Sequence, residues 1–111
     1  MSGAGRIADF AVSAVKDGMP EDVLAAARLH FLDAIGVGIA ASSVADNATW
    51  SQAATPGDAS LLGGGTAEAG AAAMINGALI HALEYDDTHI ASVVHGSAFA
   101  APLALAVAQL C

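Results

Sequence analysis

The stretch that decides the fold is NGALIHALEYDDTH, residues 76–89. Its first half is apolar and contains alanine, the strongest helix former, so it predicts a helix that continues to about Tyr85. On such a helix, His81, Glu84 and Thr88 share one face through their 3-and-4 spacing. The stretch therefore predicts an apolar helix that ends in a dense group of acids and histidines.

Periodicity predicts two helices before this stretch. Ile7–Val15 repeats apolar side chains 3 and 4 residues apart, and Gly18 is a natural stop. Pro20 at a first helical position then opens a long helix to roughly Ala41. We expect Gly36 and Gly38 to mark close packing of that helix against a neighbour. Its predicted apolar face consists of Leu24, Ala27, Phe31, Ile35 and Ile39.

The segment before the quoted stretch carries weaker signals. A third helix is predicted at Ala45–Ala54 with Trp50 as its anchor, followed by a turn at Thr55–Asp58. Ala59–Leu62 is a short strand or loop. Gly63–Gly65 lacks the Gly-Lys-Ser/Thr ending of a phosphate loop, so it is interpreted as a hinge or tight turn.

The pattern indicates an all-α fold of about five helices. Thr66 can cap the helix of the quoted stretch, with Glu68 in its first turn. A last helix is predicted at Ala98–Leu110, starting or kinking near Pro102. The apolar helix before Cys111 ends abruptly, which indicates that residues 1–111 form a partial helical domain.

Composition and charge exclude several classes of function. Three Lys and Arg residues against eleven Asp and Glu give a net charge of −8, whereas nucleic-acid binding needs clustered cations. The cations, Arg6, Lys16 and Arg28, are scattered. A single cysteine, Cys111, permits no internal disulfide, and neither a signal peptide nor an uninterrupted membrane span is visible. We therefore expect a soluble cytoplasmic protein.

A metal site is one interpretation of the acid-rich stretch. His81 and Glu84, three residues apart on a helix, could reach one ion, with Asp87 or His89 as a further ligand. The spacing is neither that of a zincin nor that of an EF-hand loop. The plain structural alternative is a helix end whose acids face water. We therefore expect no metal and no cofactor.

Acid–base catalysis is the second interpretation. A histidine beside a carboxylate is a workable proton-transfer pair. His95, followed by Gly96 and Ser97, could project from a loop beside a helix N-terminus, which also attracts anions. Solvent exposure is the alternative for such a loop histidine. His30, in the middle of the long helix, is expected to be packed in a core or an interface.

Three segments together resemble the MmgE/PrpD family. LHFLDAIGVG, residues 29–38, is similar to an early helix of that family with an Asp-x-x-Gly pattern. Residues 76–89 are similar to its strongest signature. His95-Gly96-Ser97 and the apolar helix that follows resemble its His-Pro-Ser segment. The segments stand in the family's order over nearly the whole chain, so the combination is far more specific than any single piece.

The resemblance implies a mostly helical domain, a usual homodimer, and proton transfer next to a carboxylate without an iron–sulfur cluster. The family includes 2-methylcitrate dehydratase, cis-aconitate decarboxylase and iminodisuccinate epimerase. Carried over by position, Glu84 and His95 match catalytic positions, and Thr88 and Ser97 match substrate-binding positions. The signature positions with an implied structural role are His81, Asp86, Asp87 and His89.

The chain also departs from the family's pattern. Glu84 stands where Asp is usual, and its extra methylene would move the carboxylate by roughly an ångström. Gly96 replaces the usual Pro and would loosen the loop that holds His95. Family enzymes are several times longer and carry further active-site His, Lys and Tyr residues. With only three scattered cations in this chain, a polycarboxylate substrate needs cations from another chain.

We therefore expect the N-terminal segment or small subunit of an MmgE/PrpD-type lyase or isomerase. It would act on a small di- or tricarboxylate by dehydration, decarboxylation or epimerisation. The expected partner is a second polypeptide with the rest of the family fold, or further copies in a homo-oligomer, and neither nucleic acid nor membrane. The alternatives are a non-catalytic binding or assembly module that retains the scaffold, and a remnant without a function of its own.

Overall fold

The chain folds into helices that surround one central helix, and a computed structural model describes residues 2–44, 50 and 52–111. Within those residues there are four helices and one two-stranded sheet. In chain order the elements are α1 (Gly3–Asp17), α2 (Glu21–Ser42), β1 (Ala59–Ser60), β2 (Thr66–Ala67), α3 (Ala69–His81) and α4 (Ser97–Ala108). The predicted all-α class is confirmed, because the one sheet among the described residues is a hairpin of two strands with two residues each.

The helix predicted at Ala45–Ala54 lies largely outside the described residues. Its predicted anchor, Trp50, is described and is partly buried. The indole packs against a core cluster of Ala41, Ile75 and Leu79. This residue therefore joins the segment after α2 to the central helix.

Helix α3 is the centre of the fold, since it packs against both α2 and α4. Ile80 contacts Ala34 of α2 and Ala101 of α4 in one core cluster. Alanines on the neighbouring helices let the helix axes approach closely, because interaxial distance follows the size of the side chains at the contact. The buried residues of α3 are Ala72, Ile75, Asn76, Leu79 and Ile80.

Both ends of α3 differ from the prediction. Thr66 lies in β2, and the N-cap is Glu68, whose carboxylate accepts hydrogen bonds from the backbone N–H of Gly70 at 3.0 Å and of Ala71 at 3.2 Å. The helix ends at His81. The cap predicted at Thr66 and the extension predicted to Tyr85 are therefore wrong.

The early end of α3 has a backbone cause. Glu84 has a φ of 54°, in the left-handed region, where a right-handed helix cannot continue. The chain bends back at this point, so that the side chain of Asp86 contacts the side chain of His81, the last residue of the helix.

Strands β1 and β2 form an antiparallel hairpin beside α3. Gly64 and Gly65 close it with φ values of 96° and 84°, which glycine adopts without steric cost. The triple glycine is therefore a tight turn, one of the two interpretations offered by the sequence. The hairpin pairs Ala59 with Ala67 and Ser60 with Thr66.

Two amide side chains fix the hairpin to the helices. Asn76, buried on α3, accepts from the N–H of Leu62 at 2.8 Å and donates to the carbonyl of Ser60 at 2.9 Å. Gln109, just after α4, accepts from the N–H of Ser60 at 2.8 Å and donates to its hydroxyl at 2.9 Å. The buried amide of Asn76 thus finds partners for both its oxygen and its nitrogen, as a buried polar group requires.

Helices α3 and α4 cross most closely at Gly77. A Cβ placed on Gly77 would lie 2.7 Å from the carbonyl oxygen of Ala98 and 3.6 Å from the Pro102 side chain. Pro102 lies inside α4 and has no N–H to donate to that carbonyl. The Ala98 carbonyl therefore points at α3, where only a glycine leaves it enough room.

Helix α2 buries a different face from the one predicted. Its buried residues are Ala34, Gly38 and Ala41, whereas Phe31 and Ile39 of the predicted face are exposed. The prediction selected the largest apolar side chains, but the close contact with α3 uses the smallest. Of the two glycines expected to mark packing, Gly38 lies against Leu62 and Ile80, while a Cβ on Gly36 would meet nothing within 4 Å.

Helix α1 exposes its apolar face. None of its residues is buried, and Ile7, Phe10 and Val15 are all largely exposed. The Ser2 hydroxyl caps its first turn, and the helix ends at Gly18 as predicted, with a φ of 79°. The apolar side of α1 is a surface of the domain rather than part of its core.

Within the described residues, α2 is the one helix that is long and apolar enough to cross a membrane, with a mean hydropathy of 1.6. Core helices of soluble proteins pass the same test. This helix carries Arg28, His30 and Asp33 and packs on α3 and α4. The cytoplasmic location stays a prediction.

Replacing Gly77 by alanine tests the crossing of α3 and α4. The new Cβ would meet a backbone oxygen, and overpacking of this kind costs about 1–3 kcal/mol. Gly36→Ala is the matched control, because Gly36 is also in mid-helix but has open space around it, so it should gain up to about 1 kcal/mol of helix propensity. We expect chemical denaturation to show a lower free energy of unfolding for Gly77→Ala and a higher one for Gly36→Ala. Equal effects would contradict the close crossing.

The cap of α3 predicts a dependence of stability on pH. Hydrogen bonds from the backbone N–H groups of Gly70 and Ala71 lower the pKa of Glu68 from its usual 4.5. A carboxyl group with a lowered pKa stabilises the fold above its unfolded pKa and loses this effect as pH falls through the folded value. We expect Glu68→Gln to melt below wild type at pH 7, and the gap to close in a series of melts taken down to acid pH. A constant difference in melting temperature between Glu68→Gln and wild type across the series would show that the charge of Glu68 does not contribute to stability.

Candidate active site

Two histidines and one aspartate meet where the loop after α3 returns to the start of α4. Nδ1 of His81 lies 3.1 Å from Oδ2 and 3.3 Å from Oδ1 of Asp86, and Nδ1 of His95 lies 3.1 Å from the same Oδ2. The imidazole rings are arranged edge to face, with their centroids 4.6 Å apart. We call these three residues the His–Asp–His cluster.

Asp86 lies at the inside of this cluster. Its carboxylate is fully shielded from solvent, whereas 48% of the His81 side chain and 32% of the His95 side chain remain exposed. A buried carboxylate requires hydrogen-bond donors to offset its desolvation. In the described part of the chain, those donors are the two imidazoles.

The hydrogen bonds define the tautomer of each neutral histidine. An ionised carboxylate can only accept, so Nδ1 of both rings must carry the proton. Nε2 of each ring then has a free lone pair. Asp86 thereby presents His95 as a base at Nε2, in the manner of a carboxylate that orients a catalytic histidine.

Thr88 is the third polar group of the site. Its Oγ1 lies 3.4 Å from Nδ1 of His95, a long contact beside the shorter bond to Asp86. With Nδ1 protonated, the threonine hydroxyl cannot donate to it, so its own hydrogen is free for another acceptor. The structure therefore places Thr88 beside His95, while the substrate-binding role of Thr88 and the catalytic role of His95 stay predictions.

Asp87 has a structural role at the start of α4. Its Oδ1 accepts from the backbone N–H of Ser97 at 3.0 Å, so a carboxylate caps the positive end of that helix. A hydrogen bond from the Ser97 side chain, its backbone N–H and the charge of nearby His30 hold the pKa of Asp87 below its usual value, against the raising effect of partial burial. Asp87 and Ser97 together fix the loop that carries His95.

Glu84 lies apart from the His–Asp–His cluster. It is exposed, and its carboxylate makes no hydrogen bond or ion pair within the described residues, although its backbone N–H donates to the carbonyl of His81 at 3.1 Å. The shared helical face predicted for His81, Glu84 and Thr88 is wrong, because α3 ends at His81 and Glu84 follows in a left-handed turn.

His89 belongs to the outer loop rather than to the cluster. Its Nδ1 lies 2.7 Å from the Ser92 hydroxyl, and its backbone N–H donates to the carbonyl of Val94 at 2.8 Å. These contacts close the loop between Thr88 and His95. The structural role that the resemblance implied for His89 stays a prediction.

His30 was expected in a core or an interface, and the structure places it beside the site instead. Its side chain is 59% exposed, with Nδ1 3.9 Å from Oδ2 of Asp87. His30, Asp33 and Asp87 line one open cavity of about 380 Å³, and His30 and Ser97 line a second of about 250 Å³. The sequence could have indicated this position of His30, because His30 and Asp33 are three residues apart and therefore lie on one face of α2.

No lysine or arginine among the described residues contacts the His–Asp–His cluster. Arg28 pairs with Glu21 at 3.0 Å, and both side chains are largely exposed. Arg6 and Lys16 lie on α1. The described residues around the His–Asp–His cluster therefore offer histidines but no permanent positive charge to a bound anion.

The fold and the site define a small helical domain in which a buried carboxylate orients two histidines. The sequence model of the MmgE/PrpD N-terminal domain family matches residues 5–111. The chain therefore belongs to the MmgE/PrpD family, through its N-terminal domain, as the resemblance indicated. No curated protein sequence and no solved structure matches the chain.

The tautomers of His81 and His95 are directly measurable. We expect long-range proton–nitrogen NMR correlations to show the Nδ1–H form for both rings at a pH where they are neutral. Asp86→Asn should move at least one ring towards Nε2–H, because the amide of asparagine offers one acceptor and one donor group instead of two acceptors. Nε2–H tautomers in the wild-type protein would contradict the arrangement.

Proposed function

We propose that this chain supplies an acid–base site to an MmgE/PrpD-type lyase or isomerase that acts on a small di- or tricarboxylate. The reaction class is proton transfer next to a carboxylate, as in dehydration, decarboxylation or epimerisation. The observation that carries the proposal is the bond between buried Asp86 and His95, which leaves Nε2 of His95 free to accept a proton.

In this proposal His95 is the group that moves the proton. A positioned histidine contributes about 10²–10⁴-fold to the rate of a proton-transfer reaction. Asp86 keeps its ring in the productive tautomer and stabilises the imidazolium that forms. Thr88 donates its free hydroxyl hydrogen to a substrate carboxylate, and Ser97, at the start of α4, adds a second polar contact.

Gly96 is compatible with this role of His95. Its φ is −62°, within the range that proline imposes. The loop therefore adopts at this residue the conformation of a His-Pro-Ser segment although proline is absent. Asp87 and Ser97 supply the restraint on the loop through their hydrogen bond.

Glu84 is the second catalytic residue of the proposal. As an exposed carboxylate outside the His–Asp–His cluster, it would act on the substrate directly, without contact to His95. Its left-handed backbone fixes the direction in which the side chain leaves the loop, and strained residues of this kind concentrate at functional sites.

The substrate would also need cations that residues 1–111 do not place at the site. A net charge of −8 repels a polycarboxylate. The groups of this chain that could bind such a substrate at the site are the imidazoles of the histidines and the hydroxyl groups of Thr88 and Ser97. We propose that cations come from a second polypeptide that carries the rest of the family fold, or from another copy in a homo-oligomer. We place this assembly in the cytoplasm.

Exposed apolar side chains support such an assembly. Phe10 of α1, Leu32 of α2 and Leu103 of α4 are each more than half exposed. Apolar surface of this extent is typical of a protein that associates with another surface. The domain thus offers faces on three helices to the partner that completes the site.

A non-catalytic binding or assembly module is the second candidate function. The separation of Glu84 from the His–Asp–His cluster favours this second function, because a module without catalytic activity does not require the Glu84 carboxylate to lie beside His95. In that case the cluster would serve only to join the end of α3 to the start of α4.

Activity of the assembled enzyme distinguishes the two candidates. The complex purified from its source is assayed against methylcitrate, cis-aconitate and iminodisuccinate, for wild type and for Glu84→Gln, His95→Gln and the control His89→Gln. The catalytic proposal predicts about 10²–10⁴-fold lower rates for the first two variants with melting temperatures close to wild type, and a normal rate for the control. Wild-type rates in both site variants would sink the catalytic proposal and favour the module.

A further inference from the structure

The charge around Asp86 is unusual for a buried carboxylate. Its side chain is fully shielded, yet within the described residues it contacts no lysine or arginine and binds only the two imidazoles. While both imidazoles are neutral, their N–H groups satisfy the hydrogen bonds of Asp86 but leave its charge uncompensated. A buried carboxylate with this environment is a favourable position for a cation.

We propose that His81, Asp86 and His95 bind one divalent transition-metal ion of the zinc or cobalt type, through Nδ1 of each imidazole and one carboxylate oxygen. Two imidazole nitrogens and one carboxylate oxygen are a common ligand set for such ions. This metal site shares His95 with the proposed enzymatic function but does not rest on that function.

The distances are close to those that a metal site requires. One potential ligand atom from each of the three residues lies within 4.8 Å of the others. Nδ1 of His81 and Nδ1 of His95 are each 3.1 Å from Oδ2 of Asp86. Zinc–ligand bonds of about 2.0–2.1 Å place neighbouring ligand atoms of a tetrahedral site roughly 3.3–3.4 Å apart. Small rotations of the imidazoles therefore convert the hydrogen-bonded cluster into a coordination site.

The cluster also leaves a path for the ion. Asp86 closes the inner side, while His81 is about half exposed and Thr88 is at the surface. Three protein ligands with one side open to water are the arrangement in which a solvent molecule completes the coordination of zinc.

The sequence did not indicate this ligand set. Its metal interpretation combined His81 with Glu84 and with Asp87 or His89, on the assumption of a continuous helix, and was set aside for want of a known spacing. The structure places Glu84 and His89 outside the cluster and brings His95 in from beyond the loop. The ligand spacing of 5 and 9 residues corresponds to no short motif, because it depends on the fold of the loop.

Metal binding would change the tautomer of both histidines. Nδ1 must lose its proton to bind the ion, so the remaining proton of each neutral ring moves to Nε2. His95 could then no longer accept a proton at Nε2. An occupied site and proton transfer by His95 are therefore mutually exclusive states of the same cluster.

Isothermal titration calorimetry of the metal-free full chain with zinc chloride tests the proposal. We expect one ion per chain with a Kd below about 1 µM, and loss of this binding in His81→Gln, His95→Gln and Asp86→Asn. His30→Gln, His89→Gln and Cys111→Ser are the matched controls, because they remove other possible ligands, and they should bind as wild type does. Circular dichroism of each variant shows that the fold is retained.

NMR of the zinc-loaded wild-type protein gives a readout that does not depend on any variant. We expect the nitrogen signals of His81 and His95 to change from the Nδ1–H to the Nε2–H pattern, while those of His30 and His89 stay unchanged. Absence of binding, binding that survives in all three cluster variants, or unchanged tautomers in the loaded protein would each overturn the proposal. None of these results bears on whether the metal-free assembly turns over a polycarboxylate.

Discussion

The close crossing of α3 and α4 is the constraint on which the rest of the structure depends. The Ala98 carbonyl, which Pro102 cannot bond, points at Gly77, and no larger residue leaves it room. This contact sets the distance between the end of α3, which carries His81, and the beginning of α4, which follows His95. Asn76, the residue before Gly77, ties the hairpin to the same part of α3. Two adjacent residues of the quoted stretch, Asn76 and Gly77, thus hold the scaffold in place.

Asp86 connects this scaffold to the site. Its burial is tolerable only because two imidazoles donate to it, and they come from opposite ends of a loop of more than ten residues. The carboxylate therefore closes the loop and orients both rings at once. The next residue, Asp87, has a different role, because its carboxylate caps the start of α4. Neighbouring aspartates with the same side chain have different functions because they face different partners.

The resemblance to the MmgE/PrpD family named candidate site residues by position, and their catalytic and substrate-binding roles stay predictions. The fold decided the arrangement among them: Thr88 lies beside His95, whereas the Glu84 side chain bonds to neither. Asp86, for which the resemblance implied a structural role, bonds both His81 and His95. His30, expected in a core or an interface, lies beside the site because α2 packs through its small residues and exposes the opposite side.

The sequence by itself determined the helical class, the positions of most helices and the family, because apolar periodicity, alanine content and a long ordered set of motifs are local properties. It also determined that cations are scarce, since that follows from composition. The face that α2 buries, the end of α3 and the composition of the His–Asp–His cluster were decided by the tertiary structure. Each of them depends on contacts between residues distant along the chain. Close packing favoured the alanine and glycine stripe of α2 over its larger side chains. The hydrogen-bonding capacity of buried Asp86 was satisfied by the two imidazoles that the fold brings to it.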